Sequence, residues 1–164
     1  MEEHGVESSA KIVLDLNEKI RVLHVDDDSG ILKIAAQCLE MEGPIQVDTA
    51  ISVDEALVKL EKEKYDVVVS DYQMPGKDGL DFLKTLRGKG NTIPFIMFTG
   101  KGREEVAIKA LNLGANQYLN KVGETETVYV ELAHTIIELA KARKAEEKRE
   151  SSENRVHVYP EYRS

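Results

Sequence analysis

Short runs of β-branched and aromatic residues alternate with segments of helical periodicity between residues 21 and 140. This alternation is typical of repeated strand–helix–strand units, which place their strands in one parallel sheet. Five strands are predicted, over Arg21–Val25, Ile45–Thr49, Asp66–Ser70, Ile93–Phe98 and Gln117–Leu119. The third and fourth are apolar without alternation, so we expect them inside the sheet, covered on both faces. The fold predicted is α/β, a doubly wound parallel sheet of five strands with helices on both faces.

The segments between the strands have the spacing of one-sided helices. In the first, the apolar face is predicted to be Ile31, Ile34, Ala35, Cys38 and Leu39, with Cys38 in the core and Gly43-Pro44 as the stop. In the second, Ser52 and Glu55 form a capping-box pattern. The third is expected over residues 78–87, the fourth over 103–113, and the fifth from about Glu126 to Ala140.

The two ends of the chain differ from this middle part. Residues 1–19 are predicted to be a flexible lead, in which Ile12, Val13, Leu14 and Leu16 could form a short docking helix. Residues 20–140 form the predicted domain. Residues 141–164 carry many charges and few apolar side chains, which indicates a solvated extension of the last helix or a linker.

Charge and cysteine content exclude several classes of function. The net charge of −8 argues against direct binding of nucleic acid or of an anionic membrane. Cys38 is the single cysteine, which leaves no partner for an internal disulfide. No long hydrophobic segment leads the chain, so we expect neither a secretory signal nor a membrane span, and a reducing cytoplasm as the location.

Polar residues follow four of the predicted strands where each strand ends. Asp26-Asp27-Asp28 follows the first, Asp71 the third, Thr99 the fourth, and Lys121 lies just after the fifth. Reactive groups gather at the carboxyl ends of parallel strands, so we expect these side chains in one mouth, provided that the first, third and fourth strands are neighbours. Asp28 could equally be only the N-cap of the next helix.

Clustered carboxylates at such a place repel one another unless a cation compensates. Mg²⁺ prefers oxygen ligands in octahedral geometry, which Asp26, Asp27 and Asp71 could provide. Lys121 would bring further positive charge. The residues alone therefore predict a magnesium site at the carboxyl edge of the sheet.

Four separated motifs resemble the response-regulator receiver domain of two-component signalling. They are Val25-Asp26-Asp27-Asp28, the segment from Val69 to Gly79 around Asp71, Phe98-Thr99-Gly100 and Tyr118-Leu119-Asn120-Lys121, and the resemblance covers about residues 20–140. It implies a flavodoxin-like receiver fold with strand order 2-1-3-4-5. It also implies a phosphoacceptor switch that takes its phosphoryl group from a histidine kinase and promotes only its own phosphorylation and dephosphorylation.

The resemblance assigns a role to each site residue. Asp71 is the implied phosphoacceptor, and Mg²⁺ is held by Asp27 directly, by Asp26 through water, by Asp71 and by the backbone carbonyl of Gln73. Thr99 and Lys121 contact the phosphoryl group, and Thr99 and Tyr118 form the switch that alters the face of the fourth and fifth helices. The family usually has proline after its lysine, whereas Val122 and Gly123 follow Lys121 here. We therefore expect a trans Lys121–Val122 peptide with Gly123 making the turn.

Two other functions stay open at this point. A magnesium-dependent phosphatase of the haloacid dehalogenase-like class also uses an aspartate nucleophile, and Asp26-Asp27-Asp28 imitates its Asp-x-Asp motif. A receiver-like scaffold that is never phosphorylated would have the same sequence pattern. The expected partners are a histidine kinase and a downstream output protein or domain, with a homodimer possible through the fourth and fifth helices or the charged extension. His24, inside the first strand, is expected to be a satisfied core histidine.

Overall fold

The computed structural model describes residues 18–100 and 103–158, with side chains up to residue 153. Residues 1–17 of the predicted lead therefore lie outside the described residues. The strands are β1 (Ile20–Val25), β2 (Ile45–Ala50), β3 (Val67–Ser70), β4 (Phe95–Thr99) and β5 (Gln117–Asn120). The helices are α1 (Ser29–Glu42), α2 (Val53–Lys62), α3 (Gly79–Gly88), α4 (Glu104–Asn112) and α5 (Thr125–Val158).

All strand pairs are parallel, and the order across the sheet is β2-β1-β3-β4-β5. The predicted fold class and strand order are confirmed. Every residue of β3 and β4 is buried, as their unbroken apolar sequence predicts. β4 begins at Phe95, two residues later than predicted, since Pro94 has no N–H for the ladder.

Local side-chain hydrogen bonds set the helix starts. Asp28 caps α1 by accepting from the backbone N–H groups of Gly30 and Ile31 at 2.9 and 3.2 Å. Ser52 Oγ accepts from Glu55 N at 3.1 Å and so opens α2. The Glu55 carboxylate, however, accepts from Ile51 N, one residue earlier than a capping box requires.

Two apolar cores cover the two faces of the sheet. α1 and α5 pack on one face, around side chains such as Leu39, Phe98 and Leu132. α2, α3 and α4 pack on the other face, around Phe82, Phe95 and Met97. This double covering buries the central strands β3 and β4, whereas the edge strands β2 and β5 stay partly exposed.

The predicted apolar face of α1 is partly wrong. The buried residues are Leu32, Ala35 and Leu39, whereas Ile34 is 50% exposed and Cys38 is only half-buried. The apolar residues of this helix span a wider arc than the sheet and α5 can cover. The core therefore takes the row of Leu32, Ala35 and Leu39, and the row of Ile34 and Cys38 lies at its margin.

α5 continues well beyond the sheet. At 1.5 Å per residue its 34 residues are about 51 Å long. Its buried residues end at Ala140, and Ala142 and Ala145 are exposed. The division of the chain into lead, domain and extension stays a prediction.

Candidate functional site

The register of the sheet brings the predicted site residues to one edge. Val25 lies opposite Ser70, so Asp26 and Asp71, the next residues, leave β1 and β3 side by side. Thr99 ends β4 opposite Asn120, which ends β5 immediately before Lys121. The carboxyl ends of four parallel strands thus form one mouth, as expected for this topology.

Three carboxylates form the centre of this mouth. One oxygen from each of Asp26, Asp27 and Asp71 lies within 4.8 Å of the others. Asp26 is 1% exposed and Asp71 is 9% exposed, whereas Asp27 faces solvent. Carboxylates this close repel one another, and burial of two of them weakens screening by water.

Hydrogen bonds orient both buried carboxylates. Asp26 Oδ1 accepts from Asp28 N at 2.9 Å, and Asp26 Oδ2 accepts from Lys121 Nζ at 2.6 Å. Asp71 Oδ1 accepts from Tyr72 N at 2.8 Å. The capping carboxylate of Asp28 is turned to α1, so this third acid is a helix cap and lies outside the trio.

Lys121 bridges the two buried acids. Its Nζ lies 3.7 Å from Asp71 Oδ2 in addition to its short bond to Asp26, and it sits 5.4 Å from the centre of the Phe98 ring. Among the salt bridges of the described residues, Lys121 is the only cation that contacts the trio. Three carboxylates facing one ammonium leave two negative charges, which is the condition that favours a divalent cation.

The loop that carries Lys121 has the geometry expected from its sequence. No peptide bond in residues 18–100 or 103–158 is cis, which confirms the trans Lys121–Val122 peptide. Gly123 has φ +132°, a value that favours glycine. Val122 N donates to Asn120 Oδ1 at 3.0 Å, so a side chain of β5 closes the loop.

The remaining predicted site residues surround the mouth. Thr99 is 1% exposed at the end of β4, and Gln73 is exposed in the loop two residues after Asp71. Tyr118 is half-buried on β5 beside the α2–α4 core. Burial, and then the nearby Asp71 and Tyr72, raises the pKa of the Tyr118 phenol. The neutral phenol is therefore the stable form of Tyr118 next to the acids.

Gly79 is a site residue whose role sequence reasoning missed. Its N–H donates to Tyr72 O at 2.7 Å, which ties the start of α3 to the loop of Asp71. A Cβ at this position would overlap the Asp71 carbonyl oxygen and lie 2.9 Å from Met97 Sδ. The glycine one residue after a helix-capping Asp78 was the available signal, but its close approach to Asp71 depends on the tertiary structure.

His24 lies beneath the mouth and corrects a second expectation. It is fully buried as predicted, but neither ring nitrogen has a hydrogen-bond partner among the described residues. Burial lowers the pKa of this imidazole to about 4, with Asp26 opposing and Lys121 adding to the effect. His24 is therefore a neutral and unsatisfied core residue.

The model of the response regulator receiver domain family matches residues 22–133, more than half of the chain. The chain belongs to the response regulator receiver family. The receiver is 33% identical over 108 residues to the transcriptional regulatory protein ResD of Bacillus subtilis strain 168, and 39% identical over 106 residues to its alkaline phosphatase synthesis transcriptional regulatory protein PhoP. These matches cover 66% and 65% of this chain, but only 44% and 43% of the two regulators.

Comparison with a solved structure supports membership of the same family. The receiver superposes on the receiver domain of the Francisella response regulator 1452 with a TM-score of 0.69 and 31% identity, covering 76% of this chain and 99% of that one. The chain thus spans less than half the length of ResD and PhoP but nearly the whole of the isolated receiver. In the part of the chain that the structure describes, no helix combines the length and apolar character needed to cross a bilayer.

Proposed function

We propose that this receiver is a phosphoacceptor switch in which Asp71 takes a phosphoryl group from a histidine kinase. The observation that carries the proposal is the position of Lys121 Nζ, 2.6 Å from Asp26 Oδ2 and 3.7 Å from Asp71 Oδ2. An ammonium placed between a buried acid and the acceptor can move toward the phosphoryl oxygens once they arrive. Membership of the receiver family supports the same role.

In the proposed reaction an Asp71 carboxylate oxygen forms a bond to phosphorus, and the bond from phosphorus to the donor histidine nitrogen breaks. The bonding electron pair stays on the imidazole nitrogen, which then takes up a proton. Lys121 stabilises the negative charge on the phosphoryl oxygens, and Thr99, at the end of β4, donates a hydrogen bond to one of them. The hydrogen bond from Tyr72 N holds Asp71 Oδ1 in place and so leaves Oδ2 as the attacking atom.

The donor set fits Mg²⁺. Asp26, Asp27 and Asp71 would hold the ion together with the backbone carbonyl of Gln73, all of them hard oxygen ligands. When bound, the ion neutralises charge on the carboxylates and on the incoming phosphoryl group. The exposure of Asp27 leaves one side of the trio open to solvent, so the ion can enter without unfolding the mouth.

The output of the switch is proposed to be a change on the α4–β5–α5 face. Phosphorylation adds about two negative charges, which draw Thr99 and Lys121 inward and let Tyr118 change rotamer. Ile108 and Leu111 of α4 and Val122 after β5 are 53%, 49% and 73% exposed, which gives this face apolar material for an output protein or a second copy. The receiver would act in the cytoplasm, without contacting nucleic acid itself and without turning over other substrates.

Intact-protein mass spectrometry after treatment with acetyl phosphate and MgCl₂ tests the proposal. The wild-type chain should gain one phosphoryl group, and Asp71→Asn should gain none. Asp54→Asn is the matched control, because Asp54 is exposed and its salt bridge within the described residues is with Lys77 alone. Steady release of phosphate from small esters without an adduct would favour a phosphatase, and a wild-type chain that never gains mass would favour an unphosphorylated scaffold.

A further inference from the structure

The aromatic ring of Phe98 lies beside the ammonium of the acidic mouth. Phe98 belongs to β4, directly before Thr99, and it is 1% exposed. Lys121 Nζ lies over this ring, 5.4 Å from its centre. The face of an aromatic ring is electrically negative and attracts a cation that lies within about 6 Å of the centre. The ring is therefore a third attractive partner of Lys121, in addition to the carboxylates of Asp26 and Asp71.

Two further rings hold Phe98 in this position. The ring centres of His24 and Tyr129 lie 6.3 and 6.0 Å from that of Phe98, and the rings are tilted against it by 55° and 57°. All three side chains are buried. Tilted aromatic pairs at such separations attract each other, and a close-packed interior leaves little room for a ring to reorient. The face of Phe98 therefore stays turned to the ammonium.

Lys121 needs a restraint of this kind because its loop is open to solvent. Val122, the next residue, is 73% exposed, whereas the Lys121 side chain is only 17% exposed. A lysine side chain that is held in one place loses rotamer freedom, which costs free energy. Attraction within the mouth has to offset this cost.

A ring restrains the ammonium without using its hydrogen bonds. The ammonium has three N–H donors, and Asp26 Oδ2 accepts from one of them at 2.6 Å. Asp71 Oδ2, at 3.7 Å, is beyond hydrogen-bond distance and attracts Lys121 by charge alone. A carboxylate in the place of Phe98 would accept from another donor and add a further negative charge. The ring leaves those donors available for oxygens that arrive on Asp71.

The attraction of the ring does not depend on the charge of the acids. A cation held by the carboxylates would weaken the pairing of Lys121 with Asp26, because both cations are attracted by the same negative charge. The negative face of Phe98 is a property of the ring itself. It therefore holds the ammonium under conditions in which the ion pair is weakened.

Phe95 provides an internal comparison. It lies on the same strand and is fully buried. Its ring belongs to the opposite core and packs against Phe82, with the ring centres 5.6 Å apart. The cation–π contacts of the described residues involve Phe98 and Tyr65, and not Phe95. A change in the electron density of the ring should therefore affect the site from Phe98 and not from Phe95.

We propose that Phe98 is a positioning residue for Lys121, which its ring holds in the mouth by a cation–π contact. The ammonium then faces the phosphoryl oxygens that reach Asp71. The ring acts through Lys121 and takes no part in the transfer of the phosphoryl group. This inference rests on the proposed phosphorylation of Asp71. A side chain that only filled the core would depend on its volume, whereas a cation–π contact depends on the electron density of the ring.

Site-specific incorporation of fluorinated phenylalanines at position 98 separates these two roles. Ring fluorines withdraw electron density from the ring face and change its volume little, so each added fluorine weakens a cation–π contact. With one, two and three fluorines, phosphorylation of Asp71 by acetyl phosphate and MgCl₂ should slow in steps, by about tenfold overall. The same series at position 95 should leave the phosphorylation rate unchanged. Urea titration should give similar stabilities for the two series.

Nuclear magnetic resonance of the full chain, labelled at the lysine ε carbons, reads the position of the ammonium without phosphorylation and without Mg²⁺. Ring currents shift nuclei over a ring face upfield, so the ε protons of Lys121 should resonate upfield of those of the surface residue Lys77. The Lys121 resonance is identified by its absence in Lys121→Met. Phe98→Leu should remove the upfield shift, and Phe95→Leu should leave it in place.

Three results would overturn the proposal. The first is a phosphorylation rate that stays equal or rises across the fluorine series at position 98. The second is an equal slowing in the series at position 95, and the third is a Lys121 resonance that Phe98→Leu does not move. A wild-type chain that gains no phosphoryl group would refute the proposed function instead. The Lys121 resonance would then decide alone whether the ring holds the ammonium.

Discussion

The two ends of the same sheet differ in how far their acidic groups are compensated and in how deeply they are buried. At the amino end, Arg21 pairs with Asp48 at 2.9 Å and Glu63 at 3.2 Å and stacks 4.9 Å from the centre of the Tyr65 ring. At the carboxyl end, three carboxylates share the single ammonium of Lys121. At the amino end, two carboxylates surround one partly exposed cation. At the carboxyl end, three carboxylates against one ammonium leave excess negative charge in a buried mouth. The partly exposed ion pairs at the amino end contribute to stability, and the excess negative charge at the carboxyl end is where we propose that a cation binds.

Removal of the ammonium should give the largest effect. We expect Lys121→Met to slow phosphorylation by acetyl phosphate about a thousandfold, since one charged donor to the developing charge is lost. The affinity for Mg²⁺ should stay equal or rise, because a cation that competes for the same carboxylates is gone. The rate is measured by quench and mass spectrometry and the affinity by calorimetry. Lys77→Met, on the surface pair with Asp54, should change neither; an equal loss in both variants would refute the difference between the two ends.

A side chain added at Gly79, where the backbone packs tightly under the mouth, should give the next largest effect. In Gly79→Ala the new Cβ meets the Asp71 carbonyl oxygen, so α3 or the Asp71 loop has to shift. We expect the free energy of unfolding to fall by about 3 kcal/mol in urea titration, in the range of overpacking, and phosphorylation to slow as well. Gly88→Ala, at the other end of α3, has no atom within 4 Å of its Cβ and should cost less than about 0.5 kcal/mol. Similar losses in both would mean that the start of α3 does not support the site.

The buried imidazole of His24 should make stability depend on pH. Its folded pKa of about 4 lies below the unfolded value of 6.5, so the unfolded state binds a proton that the folded state does not between these values. The stability contributed by the neutral imidazole is complete above pH 6.5 and is lost as the pH falls toward 4, by roughly 3 kcal/mol in total. His24→Leu should remove this part of the pH dependence in EDTA-containing buffer.

The matched control for His24→Leu is His134→Leu, at an exposed position of α5. The free energy of unfolding of His134→Leu should change with pH as it does in the wild-type chain. A His24→Leu variant with the wild-type profile between pH 4 and 6.5 would show that folding does not lower the pKa of His24.

The amino-end cluster should give the smallest effect. Arg21→Met removes two ion pairs and the stacking on Tyr65, all of them partly exposed to solvent, so we expect a loss of about 1 kcal/mol in the free energy of unfolding. Phosphorylation of Asp71 should proceed at the wild-type rate. A loss of phosphorylation without unfolding would show that the two ends of the sheet are coupled.

Sequence patterns were sufficient where a single local rule decides the outcome. Unbroken apolar runs predicted β3 and β4 as interior strands. The non-proline residue Val122 predicted a trans peptide after Lys121, and Gly123 predicted the turn that follows. In both cases one physical preference acts without competition from tertiary packing. The meeting of Asp26 with Asp71 needed in addition the strand order that the family resemblance implied, since it requires β1 and β3 to be neighbours.

Sequence patterns gave wrong or incomplete predictions where packing against other helices and strands decides the outcome. Which row of α1 is buried depends on how much surface α5 leaves uncovered on the sheet. The prediction therefore wrongly put Ile34 in the core, and it put Cys38 in the core although this side chain is only half-buried. The unsatisfied ring of His24 and the contact of Gly79 with Asp71 depend on elements far apart in sequence. No local spacing contains that information. The chemical roles of the site residues likewise stay predictions until they are measured.

The central claim is that the phosphoryl group forms a bond to the carboxylate of Asp71, and chemical mapping of the adduct tests it most directly. After treatment with acetyl phosphate and Mg²⁺, borohydride reduction converts an aspartyl phosphate to homoserine, which peptide mass spectrometry locates in the chain. We predict homoserine at position 71 and at no other aspartate, with none formed when EDTA replaces Mg²⁺. Homoserine at position 26 or 27, or a stable phosphate on a hydroxyl side chain, would contradict the account.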